Sequence, residues 1–344
     1  MSASVSLEPF WIDTEDWHTA GEPFRIVEHV PSRCLPEGET VAERRFNVLR
    51  ASSHQLDVLR QSLCHEPRGH ADMYGGFIVP PDDAGAHFGV LFWHKDGFST
   101  ACGHGTIALG YWAFGKGLVD VPNGDGEVDV VIDVPSGRVK ATVAVRNGKP
   151  IHADFVNVKC HIVSNNANHP ILKDYVNASV QLSYGGAEFA CVNAKTLELP
   201  VEPANVQKFV ELAGEIKAQF NEVGRESIAS VIFWQEEGTG QTEDGELIIK
   251  EKNVVVYGDG QIDRSPCGSG TSARIAIHHA NGLMHPGKGK FLNRSIIGTT
   301  FEGRIASSDL LTCCPVIRGS ANLVGKMNFY VDPRDPVYPG FVLR

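Results

Sequence analysis

Short runs in which apolar and polar residues alternate dominate the chain, and Gly, Asn, Asp or Pro separates one run from the next. Alternation with period two puts every second side chain on one face of a strand, so both halves of the chain are expected to be rich in β structure. Val139 to Val145 and Ile151 to Val158, joined through Asn147-Gly148, read as a hairpin, because Asn-Gly accommodates the positive φ of a type I′ turn. Asn123-Gly124 marks another turn. Two stretches carry a helical period instead. Val41 to Leu63 presents Phe46, Leu49, Leu56, Leu59 and Leu63 at helical spacing, and Ala204 to Phe220 presents Val206, Phe209, Val210, Ile216 and Phe220. Each predicts one amphipathic helix. Ile107 to Phe114 differs from both: it is apolar nearly all round, which predicts a helix buried inside a wrapped sheet. Ala273 to Ala280 occupies a similar place later in the chain and is shorter and more mixed.

The two buried-helix candidates follow the same motif. Cys102-Gly103-His104-Gly105-Thr106-Ile107-Ala108 and Cys267-Gly268-Ser269-Gly270-Thr271-Ser272-Ala273 both fit C-G-x-G-T-x-A, 165 positions apart. Gly117-Leu118 matches Gly282-Leu283 at that offset, Gly21, Phe24 and Val27 match Gly186, Phe189 and Val192, and Gly137-Arg138-Val139 matches Gly303-Arg304-Ile305 after a slip of one. A repeat of this length is longer than solenoid periods and predicts two copies of one α/β unit. The first should run over residues 1–158 and regain the last stretch, about 320–344; the second should cover 159–319. Paired copies create a cleft, and each copy presents one thiol to it.

Composition narrows the function. With 344 residues, 42% of them hydrophobic and 21% charged, the chain is an ordinary globular protein large enough for two cores. A net charge of −10 and the lack of a Lys/Arg run argue against nucleic acid. No apolar stretch approaches the ~20 residues that span a bilayer, so no membrane partner is expected. Met1 to Asp13 lacks the basic and apolar regions of a secretory signal, which predicts a cytoplasmic protein whose eight scattered cysteines are reduced thiols. No metal is expected: Cys64-His65 and Cys160-His161 are adjacent pairs that cannot face one ion from a regular element.

Cys102 and Cys267 are the candidate chemistry. A thiol at a helix N-terminus lies among unpaired N–H groups and the positive end of the dipole, which favours thiolate and lowers its pKa. Gly103, Gly105, Gly268 and Gly270 leave the backbone open to a small ligand, and a carboxylate can dock on those N–H groups. Sulfurs on opposite faces of one tetrahedral carbon can remove its proton from one side and return it from the other. Both motifs also fit the dinucleotide fingerprint G-x-G-x-x-A, but that needs a βαβ unit and a following acidic residue, for which Asp120 leads into a turn and the second copy offers nothing. A nucleophilic pair of Cys102 with His104 is disfavoured, since residues two apart at a helix start are not expected to face each other.

Ala101-Cys102-Gly103-His104 and Asp263-Arg264-Ser265-Pro266-Cys267-Gly268-Ser269-Gly270-Thr271 resemble the two signature motifs of the proline racemase superfamily. The likeness extends from His18-Thr19-Ala20-Gly21-Glu22-Pro23 nearly to the C-terminus. That superfamily includes proline racemases, 4-hydroxyproline 2-epimerases and trans-3-hydroxy-L-proline dehydratases. The resemblance implies the diaminopimelate-epimerase-like fold, in which two pseudo-symmetric α/β halves each wrap strands around a central helix, with the active site between them. It implies no organic cofactor, a proline or hydroxyproline substrate, and a homodimer. It makes Cys102 and Cys267 the acid/base pair, assigns the substrate carboxylate to Gly103, His104, Gly268 and Ser269, and gives the ring ammonium to Asp263. The residues alone leave alternatives: Asp263 pairing with Arg264 or Arg274, and His104 as a structural donor beside the turn.

Two cysteines match racemases and epimerases, whereas dehydratases of the superfamily often carry Thr at the second position because elimination needs one base. The rest of the chain leans towards the dehydratases. Glu66-Pro67-Arg68-Gly69-His70-Ala71-Asp72-Met73-Tyr74-Gly75, Tyr111-Trp112-Ala113-Phe114 and Asp335-Pro336-Val337-Tyr338-Pro339-Gly340-Phe341 all resemble their versions. Dehydration of trans-3-hydroxy-L-proline to Δ1-pyrroline-2-carboxylate, with Cys102 as the base, is therefore the expected activity, and two-cysteine 2-epimerisation of 4-hydroxyproline or racemisation of proline the alternative. His70 and Asp72 are candidates to reach the substrate hydroxyl.

Overall fold

A computed structural model of the chain describes residues 8–120, 124–167, 178, 180–222 and 228–343. The first unit contains β1 (Phe10–Thr19), β2 (Glu22–Val27), α1 (Val41–Arg50), α2 (Gln55–Cys64), β3 (Gly75–Val79), β4 (Phe88–His94), β5 (Gly97–Phe98), α3 (Gly103–Lys116), β6 (Gly126–Val134), β7 (Gly137–Arg146) and β8 (Lys149–Val156). The second contains β9 (Cys160–Ala167), β10 (Val180–Tyr184), β11 (Glu188–Asn193), α4 (Val206–Glu222), β12 (Ile228–Gln241), β13 (Leu247–Tyr257), β14 (Gln261–Asp263), α5 (Gly268–Ala280), β15 (Lys290–Ser295), β16 (Thr300–Ser308) and β17 (Thr312–Gly319), and the chain ends on β18 (Ala321–Val331).

Pairing follows the same plan twice. β1–β2 and β10–β11 are antiparallel, β2–β3 and β11–β12 parallel, β3–β4 and β12–β13 antiparallel, and β4–β6 and β13–β15 parallel. In the second unit β17 pairs back to β9, closing a ring of eight strands. In the first, β18 flanks β1, and the remaining gap is bridged because β17 pairs with β8 before it runs on into β18. The chain thus crosses between the rings at β8–β9 and again at β17–β18.

Each ring encloses one helix. Every residue of α3 from Gly103 to Ala113 is buried, as its all-round apolar sequence requires. Close packing explains its small residues: a Cβ at Gly110 would lie 3.1 Å from both Ala141 and Val143. The mixed sequence of α5 is buried just as fully, because Arg274 and His278 find a buried carboxylate in Glu251 on β13. Asn147 (φ 52) and Gly148 (φ 70) both adopt positive φ in the β7–β8 turn, as Asn-Gly predicts. Asn123 lies outside the described residues.

Two expectations need correction. Val41 to Leu63 is not one helix. It breaks after Arg50, with Ser53 at φ 60, and restarts where the His54 ring accepts the Leu56 N–H at 3.1 Å. The break turns α1 so that Phe46 and Leu49 are exposed while Val41, Arg44 and Val48 face inward. The match of Gly137 with Gly303 is also not structural. Gly137 takes φ 125 as the first residue of β7, whereas Gly303 sits in the interior of β16, where a Cβ would meet the Ile275 side chain at 2.4 Å. α4 keeps its expected face, with Phe209, Ile216 and Phe220 buried.

Candidate active site

The two central helices begin against each other. Cys102 is the N-cap of α3 and its Sγ accepts the Gly105 N–H at 3.2 Å; Cys267 is the N-cap of α5 and its Sγ accepts the Gly270 N–H at 3.3 Å. A Cβ built on Gly268 would lie 3.4 Å from the Gly103 Cα, so the first turns touch through glycine backbone. Two positive helix ends converging on one point repel each other unless an anion lies between them. Beside that point opens a cavity of about 470 Å³. Cys102, Gly103, His104, Asp263, Cys267, Gly268 and Ser269 all line it.

The copies are not identical. Cys102 is extended at φ −155, whereas Cys267 takes φ 63 with ψ 114, a conformation that strains any residue bearing a Cβ. The segment before Cys267 is braced to hold it: the Cys267 N–H donates to Ser265 Oγ at 3.0 Å, and Ser265 donates from N and Oγ to Asp263 at 2.8 and 2.7 Å.

Electrostatics overturn two expectations. The helix ends do lower the thiol pKa values, through the N–H groups of Gly105 and Gly270, but enclosure in the cavity wall outweighs them and nearby Asp263 adds to the rise. Both thiol pKa values are therefore pushed upward, which favours the protonated form at neutral pH. Cys102 and His104 do meet: Sγ lies 3.3 Å from Nδ1. The contact arises because the imidazole is buried edge-on between Tyr74 and Phe24, at centroid distances of 4.9 and 5.9 Å, and folds back over the cap. Burial depresses the His104 pKa to about 3, so this is a neutral imidazole beside a neutral thiol rather than an ion pair.

Two carboxyls share the cavity with the sulfurs, and Asp263 lies within side-chain hydrogen-bond reach of the Cys267 thiol. Asp263 is buried at the cavity wall, and so is Glu22, whose carboxylate accepts the Arg264 N–H at 2.9 Å and lies 3.1 Å from Arg264 Nε. Burial and the repulsion of Asp263 raise the Glu22 pKa well above the carboxylate range; burial also raises Asp263. The expected pairing of Asp263 with Arg264 or Arg274 gives way to Ser265, because Arg264 is engaged by Glu22 and Arg274 by Glu251. With one arginine engaged by Glu22 and none by Asp263, the two buried carboxyls hold protons more tightly than ordinary carboxylates, and a cation in the cavity would favour their ionised forms.

Sequence reasoning passed over Glu22 as a site residue although its motif was quoted. It also passed over Tyr74 and Ser99, which line the cavity and hydrogen-bond to each other beside Cys102. His70 and Asp72 do not line it: His70 is exposed, and Asp72 borders a separate pocket with Lys95 and Asp259.

The sequence matches the family model described as "Proline racemase" over residues 15–342. It is 34% identical to a proline racemase of Clostridioides difficile strain 630 over 97% of this chain and 98% of that one. It is 35% identical to a trans-3-hydroxy-L-proline dehydratase of Azospirillum brasilense, again over 97% and 98%. A crystal structure of a hydroxyproline epimerase from Agrobacterium vitis with bound trans-4-hydroxy-L-proline superposes with a TM-score of 0.79 at 26% identity, over 97% of this chain and 96% of that one. The paired thiols, the abutting helix ends and the full-length match agree: this chain belongs to the proline racemase family, enzymes of the racemase, epimerase and hydro-lyase kind.

Proposed function

We propose that the protein dehydrates trans-3-hydroxy-L-proline to Δ1-pyrroline-2-carboxylate, with Cys102 as the base. The observation that carries this reading is that one cavity brings together two helix N-termini, their two thiols and two buried carboxyls, with Asp263 within side-chain hydrogen-bond reach of Cys267. A cyclic amino acid offers a partner to each of these groups. Its carboxylate sits on the N–H groups of Gly103, His104, Gly268 and Ser269, and its ring ammonium faces Asp263 and Glu22. The α-carbon then lies between the sulfurs. The ammonium weakens the negative field that raises both thiols, which favours thiolate when substrate is bound. In trans-3-hydroxy-L-proline the hydroxyl shares a ring face with the α-hydrogen, so one sulfur serves that face alone. The similarity to dehydratases over nearly the whole chain supports this choice.

Cys267 favours a second reading. A thiol at that position keeps two-base chemistry available, so 2-epimerisation of 4-hydroxyproline is the competing activity. The variants Cys102→Ala and Cys267→Thr separate the two. Dehydration is expected to vanish in Cys102→Ala and to persist within about tenfold in Cys267→Thr. Equal collapse in both, together with epimerisation of 4-hydroxyproline by the unmodified enzyme, would establish the second reading.

A further inference from the structure

The loop that runs from Glu66 into β3 delivers Tyr74 to the cavity wall. Its hydroxyl is hydrogen-bonded to Ser99 Oγ, and it also interacts with the Cys102 thiol. Ser99 is held in place by its own N–H, which donates to Phe92 O at 3.1 Å. The Tyr74 ring is fixed between two imidazoles, His104 at 4.9 Å and His94 at 5.6 Å. Three exchangeable protons therefore line up along one wall, on Cys102, Tyr74 and Ser99, and all three residues border the cavity. Nothing in α-proton transfer alone requires this chain. Elimination has a use for it, because hydroxide is a poor leaving group unless a proton donor lets it depart as water.

We propose that Tyr74 is the general acid of the dehydration and that Ser99 holds the substrate 3-hydroxyl against it; this rests on the dehydratase reading above. The Cys102 thiolate takes the α-proton, and the C–H electron pair becomes the C2–C3 double bond. The C3–O bond breaks with its electrons on oxygen, which takes the Tyr74 phenolic proton and leaves as water. The phenolate then recovers a proton from the Cys102 thiol, and both groups are restored. The enamine formed tautomerises to the ring imine with no change in composition. The water thus carries away the tyrosine's proton, the α-proton replaces it by way of Cys102, and Cys267 is not used. Burial raises the Tyr74 pKa, so the donor stays loaded at neutral pH.

The test is Tyr74→Phe, which keeps the ring between the two histidines and removes only the hydroxyl. Two readouts are taken in D2O on the intact enzyme: Δ1-pyrroline-2-carboxylate formed from trans-3-hydroxy-L-proline, and α-deuterium entering L-proline, which has no leaving group. Dehydration should fall about 100-fold or more, the loss typical of a missing general acid, while exchange falls less than about tenfold. Ser99→Ala should raise KM for trans-3-hydroxy-L-proline more than for L-proline. Dehydration by Tyr74→Phe within about threefold of the unmodified enzyme overturns the proposal, as does equal loss of both readouts. Failure of the dehydratase reading looks different: the unmodified enzyme then exchanges α-protons but releases no pyrroline carboxylate.

Discussion

Gly103 and Gly268, from opposite halves of a duplicated chain, touch at the starts of α3 and α5. A Cβ on Gly268 would sit 3.4 Å from the Gly103 Cα and 3.9 Å from the His104 nitrogen, distances the backbone tolerates. The methyl of Gly268→Ala would instead occupy the space in which the proposed substrate carboxylate meets those N–H groups. KM should rise at least about tenfold with the melting temperature nearly unchanged. Gly105→Ala should do the opposite to stability, since its Cβ would lie 2.5 Å from the Phe24 ring and 2.9 Å from Cys102 Sγ. Overpacking of that kind costs about 1–3 kcal/mol. Thermal melts and steady-state kinetics on the two variants check the contrast; an unchanged KM in Gly268→Ala removes the carboxylate from this point.

The raised thiols give the rate a pH dependence. Since Cys102 is pushed above its ordinary value by burial, the free enzyme holds a thiol at neutral pH, and the thiolate fraction grows about tenfold per pH unit below the pKa. kcat/KM should therefore climb steadily from about pH 6 to 9. A flat profile over that range would mean a preformed thiolate. Stability moves the other way. The folded pKa exceeds the unfolded value of about 8.5, so the contribution of the buried thiol is complete below that pH and is lost as pH rises towards the folded value.

Glu22 makes two readouts move in opposite directions. In the proposed complex the ring ammonium favours the ionised form of Glu22 and is held by it, and whatever charge Glu22 carries without substrate helps raise both thiols. Glu22→Gln should raise KM by about tenfold, in line with a lost charge-assisted contact of ~1.5 kcal/mol. It should also speed alkylation of Cys102 and Cys267 by iodoacetamide at neutral pH. Slower alkylation, or a KM that does not change, would separate Glu22 from the cavity electrostatics.

How much of this was legible in the chain follows from how far apart the determining residues lie. The N-cap positions of Cys102 and Cys267 are local, set by Cys-Gly and the apolar run that follows, and periodicity alone places α3 inside its ring. The protonation state of those sulfurs is not local. It depends on enclosure by two rings and on Glu22 and Asp263, which reach the site from different units. A rule for helix ends in water therefore gave the wrong sign. The Cys102–His104 contact likewise depends on Tyr74 and Phe24 folding the imidazole back over the cap. The loop containing His70 and Asp72 was singled out, yet only backbone direction reveals that Tyr74 is the residue it turns inward. The split between α1 and α2 turns on Ser53 and His54, whose effect is not visible in a count of apolar spacings.

α5, which carries Cys267 at its N-cap, is held by a buried ionic cluster whose members do not line the cavity. Glu251 accepts Arg274 Nε at 2.8 Å and Nη2 at 2.7 Å and lies 2.9 Å from His278 Nε2, while the Arg274 guanidinium stacks on Trp234 at 3.7 Å. Burial works against the charge, but Arg274 and His278 overcome it and hold the Glu251 pKa at about 2. A depressed folded pKa contributes stability that is present above the unfolded value of about 4.3 and is lost as pH falls towards 2. Glu251→Gln leaves the guanidinium buried without its counter-charge, which costs about 3–5 kcal/mol. Urea unfolding should show that deficit in full near pH 7 and a smaller one near pH 3, where the unmodified protein has begun to lose the same contribution. A gap that stays constant across this range would show that the cluster acts through shape rather than charge.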